Sequence, residues 1–308
     1  MLWEVNMNNV LVTAIYSYSP YTRMGGRGYN MHAYMAPFMN IMNLGLHVVI
    51  FTHDPVYDDL QSFLTQYEYT NYTIVKFDLD TTDITDKVLD LKQNMGLIDA
   101  QGLAQGVSLI QNDRNHVLCL KKPFFLKRVI EEYVPNADNY YWIDAGLFHH
   151  GLFPDSLGGM ERYINIEVDR FWPNNKKSLF RPGLIEKLTQ KTIDNFIFIK
   201  THAYYGQSEW WNIVSPTVNK DGHIVGGLFG GKKEVCIELI NAFYEYVDLL
   251  LNNNILSLEE EILSIVYANQ FKHLGAFNFT SWYHDVEGDR CYLEQAPNTE
   301  CFYKIFIT

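Results

Sequence analysis

The chain alternates short apolar, β-branched runs with longer stretches whose apolar residues recur at helical spacing. "NNVLVTAIY" is one such run and "HVVIFTHD" (His47 to Asp54) another. Between them, "GYNMHAYMAPFMNIMNLG" has the spacing of a helix bent at Pro37. A third run, "YTIVKFDLD" (Tyr72 to Asp80), follows a helical segment around Tyr57 to Tyr67. "HVLCLKKPFFLKRVIEEY" reads as a helix that Pro123 either kinks or restarts, and it leads into "NYYWIDAG", a strand ending at Asp144. "NFIFIKTHAYY" and "HIVGGLFGGKK" read as strands. After them Val235, Leu239, Phe243, Tyr246 and Leu250 recur as one helical face, and "LEEEILSIVYANQ" predicts a last helix. Strands alternating with helices predict an α/β fold with a mostly parallel central sheet covered on both faces. Ligands of such sheets bind beyond the carboxyl ends of the strands. The Pro- and Gly-bearing stretch from Leu152 to Gly159 is the one candidate seam, and it reads as a connection within a single domain spanning 1–308.

Composition narrows the class. With 308 residues, 47% of them hydrophobic and 19% charged, the chain has the means to bury a large core. A formal charge of −12 argues against a surface that coats nucleic acid, since phosphate binding is driven by Lys and Arg. The four cysteines, Cys119, Cys236, Cys291 and Cys301, form no C-x-x-C pair and no zinc spacing, so they read as reduced thiols, with a Cys291–Cys301 disulfide as the alternative. The amino terminus lacks a basic region and runs straight into a strand, and no apolar run approaches the ~18 residues of a membrane span. The expected location is cytoplasmic, with peripheral contact at the inner membrane face as an extension.

Asp144 is a single acid at the end of an apolar strand, followed at once by Ala-Gly. Such an acid either caps a following helix or faces the ligand crevice. The ordered set "VTAIY", "RGYNMHAY", "KKPFFLKRVI", "YYWIDAG", "GGLFGG", "SLEEEILSIVYAN" and "WYH" resembles the HtrL/YibB family of bacterial proteins, which includes the WlaTB group of glycosyltransferases. The resemblance covers most of the chain. It implies a GT-A-like glycosyltransferase with a nucleotide sugar, UDP-linked by expectation, lying across the end of the sheet. On that reading residues 1–150 bind the donor and 151–308 face the acceptor. A glycan or lipid-linked glycan would accept the sugar, in surface polysaccharide or lipopolysaccharide synthesis.

The same resemblance gives Asp144 a divalent cation to hold, Mn²⁺ or Mg²⁺, on the donor diphosphate. The chemistry is sound, because a departing nucleoside diphosphate gains negative charge and a hard cation suits carboxylate and phosphate oxygens. Trp142 stands where the usual motif has an earlier acid, so a second ligand must come from elsewhere, with His284 the candidate and Asp285 its alternative. Catalytic acids are expected at Glu259 and Glu260, with Glu260 preferred as the base that takes the acceptor's proton. The plain alternative is that these acids only complement a helix dipole, with Ser257 as the cap.

Donor binding is expected at Val12, Thr13 and Ala14 on the first strand, at Asp54 after the second, and at Arg23 and Arg27, whose guanidinium groups match a diphosphate. The resemblance adds a cation from the Lys121–Lys122 pair, with Lys122 preferred. Gly226 and Gly227 in "GGLFGG" would let a sugar ring approach the main chain, or else mark a bulged edge strand. From Arg170 to Lys191 the chain carries six Lys or Arg against one Glu, with Trp172 and Phe180 interleaved. That stretch could receive an acidic acceptor, including DNA with a hydroxymethylated base. A non-catalytic nucleotide- or carbohydrate-binding protein is the alternative outside the enzymes.

Overall fold

The computed structural model describes residues 8–16, 22–23, 27–28, 38–39, 41–79, 83–95, 113–145, 185, 189, 192–201 and 223–279. Its elements run β1 (Asn9–Ile15), β2 (Thr22–Arg23), β3 (Arg27–Gly28), β4 (His47–Thr52), α1 (Asp54–Gln66), β5 (Tyr72–Lys76), α2 (Asp83–Asn94), α3 (Asp113–Arg128), β6 (Asn139–Ile143), β7 (Ile199–Thr201), β8 (His223–Ile224), β9 (Leu228–Lys232), α4 (Lys233–Asn252), α5 (Glu259–Val266) and β10 (Phe277–Phe279).

The central sheet has the order β5-β4-β1-β6-β9. The first four strands are parallel and β9 runs antiparallel to β6, so the expected mostly parallel α/β sheet is the one that forms. Because side chains alternate along a strand, each strand feeds two cores. Val10, Val12, Val49, Phe51, Tyr140, Trp142 and Phe229 point to one face, under α2, α3, α4 and α5. Leu11, Ile15, Val48, Ile50, Tyr141, Ile143 and Leu228 point to the other, where Phe38, Ile41, Met42 and the α1 residues Val56, Leu60 and Leu64 cover them. Both faces being buried, the strands read as continuous apolar runs rather than alternating ones.

Strand order sets the place for a ligand. The chain moves outward from β1 to β4 to β5, then returns to lay β6 on the opposite side of β1. The strand order therefore reverses between β1 and β6, and in open α/β sheets the crevice beyond the carboxyl ends at such a reversal is the binding position. The residues that open onto that crevice are those following Ile15 and Ile143.

Several expectations change in detail. The stretch "HIVGGLFGGKK" is two strands in two sheets: β8 joins a small sheet of order β10-β7-β8, and β9 closes the central one. The break lies at the Gly226-Gly227 turn. Gly230 has φ +137, and a Cβ there would stand 2.2 Å from the Tyr140 carbonyl oxygen, so the close seating of β9 on β6 requires glycine. Pro123 lies inside α3 without ending it, and the last turn continues as a π-helix over Val129–Tyr133. Leu258, not Ser257, precedes α5; the Leu258 N–H and the Ser257 hydroxyl both donate to the Glu261 carboxylate, at 3.0 and 2.7 Å. Among the described residues no helix is long and apolar enough to cross a membrane.

Candidate functional site

β6 delivers Asp144 to the crevice. An extended chain puts residues two apart on the same face, so Trp142 and Asp144 both turn toward α3. The Trp142 ring stacks on Phe125 of α3, centroids 6.1 Å apart, and its indole N–H donates to Asp144 Oδ1 at 2.7 Å. The Asp144 backbone N–H is held by the Gly227 carbonyl at 2.9 Å. Backbone and side chain are thus both fixed, and the carboxylate still keeps about a third of its surface open, with side-chain exposure of 36%.

Lys122 rises from α3 to meet it. Its ammonium lies 3.0 Å from Asp144 Oδ1, 3.1 Å from Asp144 Oδ2 and 2.7 Å from Glu259 Oε1, and it also donates to the Gly226 carbonyl at 3.3 Å. The side chains of Lys122 and Glu259 are both 7% exposed. Burial by itself lowers the pKa of this lysine, but Asp144 and Glu259 outweigh it and hold the pKa well above the ordinary value. Glu259 is raised: burial pushes it up, Lys122 pulls it down, and the neighbouring charges of Glu260 and Asp144 add to the rise. One cation therefore joins two carboxylates that belong to β6 and α5, 115 positions apart in sequence.

Glu260 completes the group from the other side of the turn. Its Oε1 accepts the Gly226 backbone N–H at 2.9 Å. Gly226 is where the two acids and the lysine converge: a Cβ built there would meet Glu259 Oε1 at 2.8 Å and Glu260 Cγ at 3.2 Å. A residue with no side chain is what lets α5 bring both glutamates against the β8–β9 turn.

The site thus unites Asp144, Lys122, Glu259, Glu260, Gly226 and Gly227 of the residues expected from sequence. Others stand apart. Val12 and Thr13 are sealed inside the sheet with no exposed surface, so their side chains cannot touch a ligand, and Ala14 is half-buried. Asp54 starts α1 with an exposed carboxylate paired to Lys76 at 2.8 Å, which lowers its pKa, and it makes no bond to the cluster. Arg23 and Arg27 are register partners in the backbone of the short β2–β3 ladder. Lys121, the neighbour of Lys122, places its ammonium 4.7 Å from the centre of the Phe124 ring. Cys119 and Cys236 are not in a disulfide among the described residues, and burial pushes Cys236 up to about 12. His284, Asp285, His149, His150, Cys291, Cys301, Trp210, Trp211 and the basic stretch apart from Ile185 and Thr189 lie outside the described residues.

Two partners were not foreseen. Trp142 acts as a hydrogen-bond donor to Asp144, and its spacing of two on a strand was the available signal. At the crevice end of β1, Tyr16 donates to the Phe77 carbonyl at 2.9 Å and packs on His53 with centroids 5.1 Å apart, which places an aromatic pair over the ends of β1 and β4.

The donor set around Asp144 does not fit a divalent cation as the described residues stand. Both Asp144 oxygens already face N–H donors, and the nearest second carboxylate, Glu259, is bonded to the same ammonium. Among the described residues no group of three or more His, Cys, Asp or Glu could hold a metal ion.

No protein-family profile matches the chain, and no curated protein does. Among solved structures, the chain is similar to 4-diphosphocytidyl-2C-methyl-D-erythritol synthase from Anaerococcus prevotii, at 8% identity and a TM-score of 0.39 over 90% of each chain. It is also similar to a structure described as a transferase mutant, at 8% identity and a TM-score of 0.36 over 87% of this chain and 86% of that one. Likeness at this level assigns neither fold family nor activity.

Proposed function

We propose that the protein is a glycosyltransferase that moves a sugar from a nucleotide-sugar donor, with UDP-sugars the first choice, to a glycan acceptor of the kind used in surface polysaccharide or lipopolysaccharide synthesis. The observation that carries this reading is the convergence, at the strand-order reversal, of a partly open carboxylate on β6 with two glutamates at the start of α5. The resemblance of the ordered motifs to the HtrL/YibB family supports the same reading.

The donor would lie across the carboxyl ends of β1 and β6. In the tilted Tyr16–His53 pair Tyr16 is buried and His53 keeps part of its surface open, so the His53 ring would meet a base, and the guanidinium chemistry of Arg23 and Arg27 suits the diphosphate. The open face of Asp144 would accept hydrogen bonds from the transferred sugar's hydroxyls, its orientation fixed by Trp142 and Lys122. In the reaction the acceptor hydroxyl oxygen forms a bond to the anomeric carbon, the bond from that carbon to the diphosphate oxygen breaks, and the electron pair leaves with the nucleoside diphosphate. The hydroxyl proton passes to a carboxylate. Glu260 is the better base, because the Glu259 carboxylate is buried and its Oε1 is already taken by the Lys122 ammonium, which keeps an acceptor hydroxyl away from it.

Incubation of the protein with a panel of UDP-, GDP- and CMP-sugars, with oligosaccharide and lipid-linked acceptors, checks this directly. The expected result is nucleotide release from one donor class with sugar gained by an acceptor. Failure of the folded protein to bind UDP, GDP or CMP by calorimetry, together with no turnover, would overturn the reading.

A further inference from the structure

We infer that Lys122 takes the place of a divalent metal ion in this site: its ammonium joins the Asp144 and Glu259 carboxylates, and no Mn²⁺ or Mg²⁺ binds Asp144 while Lys122 is there. The inference rests on the reading of this cluster as the donor-side acids of a sugar transferase, and deepens it. A metal in such a site does two structural things: it neutralises carboxylates gathered in one place, and it fixes their relative geometry. Lys122 does both. Its three N–H groups are met by Asp144, Glu259 and the Gly226 carbonyl, at 3.0, 2.7 and 3.3 Å, so one charge ties the end of β6 to the start of α5 and to the turn between β8 and β9.

The position is also taken in a literal sense. The ammonium stands within 3.1 Å of both Asp144 oxygens, which closes the bidentate approach to that carboxylate, and Trp142 adds a second donor on Oδ1 at 2.7 Å. A cation at the ~2.1 Å typical of Mg²⁺–oxygen contacts would be crowded against a like charge in a poorly hydrated setting, where repulsion is strong. The lysine cannot swing away cheaply, because with a side chain 7% exposed it would leave Glu259 buried and unpaired. Lys122 is therefore a positioning residue that acts through Asp144 and Glu259.

Binding of Mn²⁺ followed by electron paramagnetic resonance, with and without UDP, tests the inference without relying on turnover. The unaltered protein is expected to take up no Mn²⁺, or only Mn²⁺ whose affinity Asp144→Asn leaves unchanged. Lys122→Met, which frees the two carboxylates, is expected to bind Mn²⁺ about tenfold more tightly or better. Mn²⁺ held by the unaltered protein and released in Asp144→Asn would overturn the inference, as would a folded Lys122→Met that gains no affinity. Should Lys122→Met fail to fold, the comparison of the unaltered protein with Asp144→Asn still decides. A folded protein that neither binds UDP, GDP or CMP nor turns over any donor would sink the transferase reading and leave the Mn²⁺ result standing by itself.

Discussion

At Gly226 a single added carbon reaches both catalytic candidates. Its built Cβ comes within 2.8 Å of Glu259 Oε1 and 3.2 Å of Glu260 Cγ, and the residue does not have positive φ, so alanine there adds a steric conflict without backbone strain. The nearest atom is the end of the Glu259 side chain, with Glu259 Cγ at 3.1 Å and Glu260 Cγ at 3.2 Å behind it, so both glutamates must shift by a fraction of an ångström. Gly226→Ala should therefore fold with a melting temperature close to that of the unaltered protein while kcat/KM falls by about a hundredfold, as misplacement of catalytic groups by ~1 Å can cause. Steady-state kinetics beside a thermal melt separates the two effects, and a variant of full activity would show that the glutamates need not be held so closely. Trp142 shows the same economy at residue scale, since one side chain fills the core against Phe125 and orients Asp144.

Between elements, His116 ties α3 to the segment that starts α5. Its ring nitrogen Nε2 lies 2.6 Å from the Ser257 carbonyl, and the residue is fully buried. Burial first, and the charge of Lys92 second, lower its pKa from 6.5 to about 3, while the bond to Ser257 works the other way. The imidazole is then neutral at ordinary pH and donates to Ser257. As pH falls below 6.5 the unfolded chain takes up a proton that the folded protein refuses until about 3, so this group's contribution to stability is present above 6.5 and is lost across that window. His116→Leu should cost about 1–3 kcal/mol at pH 7, because a buried carbonyl loses its partner. The deficit relative to the unaltered protein should shrink as pH falls toward 3, a trend that denaturant melts at several pH values would reveal. A deficit that stays constant with pH would contradict the buried, neutral assignment.

These contacts also show what could be read from the sequence at the level of elements. β1, β4 and β6 were legible because strands buried on both faces are written as unbroken apolar runs, and Asp144 stood out as the polar residue ending one of them. α4 was legible from its periodic apolar face. The division of "HIVGGLFGGKK" between two sheets was not, because local pattern marks a turn at two glycines without saying which partner each flank will find. The preference for Lys122 over Lys121 had no basis in local pattern for a similar reason: neighbours on a helix point about 100° apart, and only the position of β6 decides which one meets Asp144. The pairing of Lys122 with Glu259 spans 137 positions and leaves no local trace.

For the whole molecule, the strand order does most to locate function. Residues from both halves of the chain share one central sheet, and the acids from β6 and α5 meet where the order reverses. The formal charge of −12 over the full chain is compatible with a small anionic donor only if cations are placed locally, and Lys122 is the one buried at the centre of the described cluster. The central claim is that this cluster is where chemistry occurs. Its most direct test is the rate of nucleotide release from the preferred sugar donor by the unaltered protein and by Asp144→Asn, with equal melting temperatures confirming that both are folded. A loss of about a hundredfold or more in kcat is the predicted result. A folded Asp144→Asn that turns over donor at the unaltered rate would contradict the account.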